Sequence, residues 1–126
     1  MQIDRLPYKT IFGGVGGMSL EQLQKTNGFS NMFWGWGGED DDMYNRLHHN
    51  KYQIMRYPQN IARYTMMTHK KETPSPQRFK FLYGGMKRYK TDGLNSLVYE
   101  RVDLKLKKLY TLVQVNIKKA DVMKNG

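Results

Sequence analysis

The order of apolar and polar positions divides the chain into short elements punctuated by glycine. Residues 6–12, "LPYKTIF", form a β-branched and aromatic run stopped by "GGVGG", which predicts a strand delivering its end to a loop that a ligand can approach closely. In "SLEQLQKTNG", Ser19 precedes Gln22 by three residues, Leu20 and Leu23 share a face and Gly28 closes the segment, so a short capped helix is predicted. Met43 and Leu47 stand four apart in "EDDDMYNRLHHN", predicting a second helix whose first turn holds Glu39, Asp40, Asp41 and Asp42. "YQIMRYPQNIARYTMMTH" predicts two short strands about a Tyr57-Pro58 turn, and "KKETPSPQRF" a mobile loop. Strand-like alternation fills "LNSLVYERVDLKLKKLYTLVQVNI", and "KKADVMKNG", residues 118–126, reads as a disordered basic tail.

With 126 residues and 39% hydrophobic content, the chain suits one folding unit or a piece of a larger one. The absence of cysteine removes disulfides and thiolate metal sites. No apolar run reaches the roughly 20 residues that span a bilayer, so any membrane anchor is expected outside these residues. The formal charge of +10 is concentrated: residues 1–62 hold 6 basic and 6 acidic side chains, and residues 63–126 hold 15 and 5. A basic, tyrosine-rich half can track a phosphate backbone or bind another anionic ligand such as a nucleotide diphosphate. No nucleic-acid motif accompanies the charge, and scattered lysines such as Lys105, Lys107 and Lys108 read as a solvated surface, so nucleic acid is not expected as a partner.

The stretch "FWGWGGEDDD" changes the picture most. Acids in a first helical turn meet the positive end of the macrodipole, but one or two suffice for that. Four in succession repel one another, and here they follow Trp34, Gly35, Trp36, Gly37 and Gly38. Flat apolar rings beside carboxylates are what a sugar site needs, since the rings stack and the acids take hydroxyl hydrogen bonds. The alternative of a hard-cation loop lacks the alternating ligand spacing and central glycine of calcium-binding loops. A single carboxylate acting as general base, with neighbours that orient the substrate, fits better. Met66 and His69 form a Met-x-x-His pair, but on residue types alone the histidine reads as a surface residue and the methionine as core.

The segments "FGGV", "NGFSNMFWGWGGEDDD", "NRL", Met-x-x-His, "PSPQRF", "DGLNSL" and "LYT" occur in the order seen in the C-terminal half of the β1,4-galactosyltransferase family, which residues 7–117 resemble. The resemblance implies an α/β chain, the C-terminal part of a GT-A type nucleotide-sugar glycosyltransferase fold over residues 1–117, with the upstream nucleotide-binding half absent. It implies Asp40 as the catalytic base, Ile11, Gly14, Trp36 and Glu39 as donor contacts, and Tyr8, Gly38, Asp40, Asp41, Arg78, Phe79 and Leu82 as acceptor contacts. Met66 and His69 would ligate Mn2+ together with an upstream Asp-x-Asp carboxylate, and the Asp-Asp-Asp run is not that motif. Position 11 is isoleucine where galactose-transferring members usually have tyrosine, which makes room for an N-acetyl group and is similar to the invertebrate-type N-acetylgalactosaminyltransferase branch. The implied reaction is inverting transfer of GalNAc from UDP-GalNAc to the 4-hydroxyl of a terminal β-GlcNAc on a glycoprotein or glycolipid, in the Golgi lumen. UDP-galactose as donor and a non-catalytic sugar-binding fragment are the alternatives, and the isolated fragment is expected to be a poor enzyme.

Overall fold

A computed structural model describes residues 6–65 and 67–123. Its first element, α1 (Leu20–Lys25), begins in the predicted capping box: the Gln22 amide donates to Ser19 Oγ at 3.2 Å, and the Ser19 amide donates to Gln22 Oε1 at 2.7 Å. The helix closes as Gly28 N–H donates to the Leu23 carbonyl, with Gly28 in the left-handed region at φ 64°.

Two eleven-residue helices follow, α2 (Glu39–His49) and α3 (Arg78–Arg88). Gly38 at the start of α2 abuts the Arg78 carbonyl, Asp42 abuts Gly85, and the His49 ring meets Tyr89 with centroids 5.1 Å apart. The helices therefore run parallel, and both positive dipole ends lie at the same end of the molecule. A 3-10 turn, Leu94–Ser96, leads into an antiparallel hairpin of β1 (Glu100–Leu106) and β2 (Thr111–Asn116), whose register shifts between Arg101 and Asp103. The final element, α4 (Lys119–Met123), buries Val122.

The centre of the molecule is more polar than apolar. Met43 and Leu47 of α2 are buried, and between them Arg46 is fully enclosed. Its Nε donates to Asp42 Oδ2 at 2.7 Å, and one terminal nitrogen donates to the carbonyls of Gly28 at 3.0 Å and Asp92 at 2.8 Å. The Asp92 carboxylate in turn accepts from Ser30 Oγ, the Asn31 amide and Arg88 Nε, at 2.5, 2.8 and 3.0 Å. A buried guanidinium persists only when carboxylates and carbonyls satisfy its donors, and here they tie α2 to the loops at residues 27–31 and 89–96.

Three expectations are corrected. Residues 6–12 and 52–64 form turns and extended stretches, not ladders, because strand propensity needs a partner edge and none is present among the described residues. The turn after Tyr57 is real, with the Pro58 carbonyl accepting from the Ile61 and Ala62 amides. Arg78, Phe79 and Leu82 sit on helix α3 instead of a mobile loop; the glycine pair Gly84-Gly85 argues for a break, yet the helix continues through it. The tail at 118–126 is ordered over Lys119–Met123, where Val122 and Met123 pack as one turn of helix. No helix among the described residues is long and apolar enough to cross a membrane.

Candidate active site

The acid turn of α2 is assembled from three segments. Gly38 precedes it at φ 95°, a conformation that favours glycine, and any side chain there would strike Phe33. The four acids then diverge by helical geometry. Glu39 is exposed, Asp40 and Asp41 are half-buried, and Asp42 turns wholly into the core. Asp42 thus has a structural explanation: it is the buried partner of Arg46, and sequence reasoning that treated the whole run as functional is corrected at this residue. Burial pushes its carboxyl above the usual carboxylate range, against the pull of Arg46. Its Oδ1 lies against Gly85, where an added Cβ would come within 2.0 Å.

The loop at residues 7–17 folds over Asp40 and Asp41. Tyr8 donates its hydroxyl proton to Asp41 Oδ1 at 3.0 Å. Partial burial, that hydrogen bond and the charges of Asp41, Asp40 and Glu39 push the phenol up to about 12. Gly13 lies so close to Asp40 that a Cβ there would meet Oδ2 at 2.4 Å. Gly14, at φ 88°, faces open space, and the Ile11 carbonyl is held by the Arg56 guanidinium while its side chain is half-buried. Neither Gly13 nor Arg56 stands out in the sequence; the glycine cluster at 13–17 was the available signal for the first.

The third segment approaches from the other side. The Ser75 amide donates to the Trp36 carbonyl at 3.0 Å, and Arg78 Cδ packs where a Gly37 side chain would be. Arg78 also donates to the Ser75 carbonyl at 3.2 Å, and its guanidinium stands 4.4 Å from the Phe79 ring centroid. Trp36 is 55% exposed beside the acids. Trp34 is directed elsewhere: its Nε1–H donates to the Asn31 carbonyl, and it lines a separate cavity of about 310 Å³ with Met32, Phe81 and Lys119. Only one of the two indoles therefore belongs to the site.

His69 is exposed, and its Nδ1 lies 3.0 Å from the Lys70 carbonyl. A carbonyl can only accept, so Nδ1 is the donor in this contact and Nε2 is the ring nitrogen it leaves unengaged. Met66 lies outside the described residues. Those residues include no group of three His, Cys, Asp or Glu side chains able to hold a metal, so His69 offers one donor and not a centre.

Comparison with known proteins shows the family of the chain. A family model described as the N-terminal domain of galactosyltransferase matches residues 4–70. The chain is 45% identical over 114 residues to Beta-1,4-galactosyltransferase 6 of Rattus norvegicus, covering 89% of this chain and 30% of the relative. It is 44% identical over 115 residues to Beta-1,4-galactosyltransferase 1 of Mus musculus, covering 89% and 29%, and 41% identical over 116 residues to Beta-1,4-galactosyltransferase 2 of Homo sapiens, covering 90% and 31%. An acid-tipped helix under a glycine loop, in a mixed helix and strand chain, is thus set among sugar transferases. The chain belongs to the β1,4-galactosyltransferase family, and it spans about 30% of the length of these curated relatives.

Proposed function

We propose that this chain forms the acceptor side of an inverting hexosyltransferase with the GT-A fold, acting within a longer protein. The observation that supports it is the convergence of Tyr8 and Gly13, the Asp40–Asp41 turn, and the Trp36–Ser75 and Gly37–Arg78 contacts at one helix N-terminus. Asp40 accepts the proton of the acceptor's 4-hydroxyl as that oxygen attacks the anomeric carbon of the donor sugar, and the bond pair leaves with UDP. Asp41, held by Tyr8, orients the acceptor, and Gly38, Arg78, Phe79 and Leu82 complete its pocket. Glu39, Trp36, Ile11 and Gly14 face the donor. Parallel α2 and α3 direct two positive dipole ends at this charged reaction centre.

A Mn2+ ion would supply Lewis-acid neutralisation of the departing diphosphate. His69 Nε2 and Met66 would ligate it, with the remaining ligands coming from outside the described residues. The order of motifs assigns the chain to the C-terminal portion of the catalytic domain, although the matching family model is described as an N-terminal one. In this reading the full-length protein is anchored upstream and works in the Golgi lumen, and the isolated 126 residues transfer sugar poorly.

Ile11 supports UDP-GalNAc as the preferred donor, because an apolar side chain in place of a phenol leaves volume for the acetyl methyl. The relatives' names favour galactose. Donor competition on a β-GlcNAc acceptor decides between them. The full-length protein is expected to prefer UDP-GalNAc, and Ile11→Tyr to shift that preference toward UDP-galactose. A wild-type preference for galactose overturns the donor assignment, and no transfer from either donor overturns the enzymatic reading.

A further inference from the structure

Two features of the fold take no part in the site described above: the indole of Trp34, and the closing helix α4, which lies beyond the residues 7–117 that carry the family resemblance. They meet each other. The Nζ of Lys119, the first residue of α4, stands 5.7 Å from the centroid of the Trp34 ring. That ring is pinned to the buried polar network, because its Nε1–H donates to the Asn31 carbonyl at 3.0 Å. Asn31 is fixed in turn, its amide donating to Asp92 Oδ1 and its side chain to the Gly93 carbonyl, each at 2.8 Å. Within the same turn of α4, Val122 is buried.

Between α4 and the site lies the cavity of about 310 Å³, walled by Met32, Trp34 and Phe81, by Lys119 and Met123 of α4, and by residues 73–77. Those last five residues hold the site together from one side. The Ser75 amide donates to the Trp36 carbonyl at 3.0 Å, a parallel backbone bridge pairs Pro74 with Trp36, and the Ser75 carbonyl accepts from the Arg78 amide and guanidinium, each at 3.2 Å. Within the segment only Ser75 is half-buried and the other four residues are exposed, so its position depends on what stands across the cavity. We propose that Lys119 and Met123 are positioning residues for the reaction: they brace residues 73–77 from behind, which sets Trp36 against the donor and Arg78 against the acceptor. The assignment rests on the roles given above to Trp36 and Arg78, and it calls for no contact of α4 with either sugar.

The test is amide hydrogen exchange together with steady-state kinetics on the full-length protein, for wild type, Lys119→Ala, Lys119→Arg and Met123→Ala. Loss of the cation over the indole is expected to speed exchange of the Ser75 amide by about 2- to 5-fold and to leave the amides of α2 unchanged. With a UDP-hexose donor and a β-GlcNAc acceptor, both KM values should rise by a similar factor, while kcat at saturation stays within about 2-fold of wild type because the base is untouched. Lys119→Arg keeps the cation and should behave as wild type, and Met123→Ala should follow Lys119→Ala in direction. Ser75 exchange or KM values that match wild type in both alanine variants overturn the brace while the transferase reading stands. Faster exchange throughout α2, or a kcat that falls with KM unchanged, would mark a general loss of stability or a role in the chemical step, and overturns it too. A wild type that transfers no sugar removes the transferase reading, and the positioning role falls with it even where Ser75 exchange responds as expected.

Discussion

At the residue scale, the acid run owes its make-up to two demands on one helical turn. Asp42 answers to folding, because Arg46 is fully buried and needs a carboxylate one turn away, whereas Asp40 and Asp41 are left facing the glycine loop. Gly13 is the tightest constraint on that loop. Gly13→Ala puts a Cβ 2.4 Å from Asp40 Oδ2, so the carboxylate must move. A misplacement on that scale is expected to lower kcat by as much as about 100-fold, with little change in the unfolding temperature, as steady-state kinetics and calorimetry would show. Tyr8 makes a second prediction. Its phenol has an ordinary value of 10.0 and is pushed up to about 12 in the fold, so the folded state holds this proton more tightly than the unfolded chain. The stabilisation is complete below pH 10 and is lost as the pH rises through about 12, and tyrosinate absorbance should show one late-titrating group that Tyr8→Phe removes. The resemblance singled out Tyr8 and Asp40 from sequence alone, and the fold brings both to the same acid turn. Arg46 could have been suspected from its spacing to Asp42, and Arg88 from its equal spacing to Asp92, but the burial of Asp92 could not, since Ser30, Asn31 and Arg46 are brought to it only by the tertiary fold.

At the scale of elements, local signals succeeded where the structure is local. The capping box of α1, the acid start of α2 and the alternation of the hairpin depend on neighbours within a few residues or across one turn. The failures follow from non-local causes. Strands were expected at residues 6–12 and 52–64 from side-chain type, yet a strand is defined by its partner. The loop expected over "KKETPSPQRF" gives way to helix α3 from Arg78 on, and Gly85 lies within that helix where Asp42 Oδ1 occupies the space of its Cβ. The packing of α2 depends accordingly on charge as well as on the apolar Met43 and Leu47. Arg46→Met would leave Asp42 and Asp92 buried without their shared cation, and a loss of about 3–5 kcal/mol is expected in denaturant unfolding. A loss well below that range would mean that the carboxyls are satisfied another way.

At the scale of the whole molecule, the described residues bring Asp40 and Asp41, the glycine loop over them and the Arg78 segment to one helix N-terminus, which the proposed function reads as the acceptor side of a transferase. Much apolar surface remains exposed, including Val102, Leu104 and Leu106 on β1 and Leu112, Val113 and Val115 on β2. A two-stranded hairpin is marginal by itself, so this surface accords with a chain that spans about 30% of its relatives' length and acts as part of something larger. The base role proposed for Asp40 is the feature on which the proposed function turns. The most direct test is transfer by the full-length protein, supplied with Mn2+ and both UDP-GalNAc and UDP-galactose over a β-GlcNAc acceptor, for wild type and Asp40→Asn. Wild type is expected to form a β1,4 linkage, and the variant to lose about 10²- to 10⁴-fold in kcat, the usual contribution of a general base, with its unfolding temperature unchanged. A correctly folded Asp40→Asn variant that keeps the wild-type rate would contradict the account.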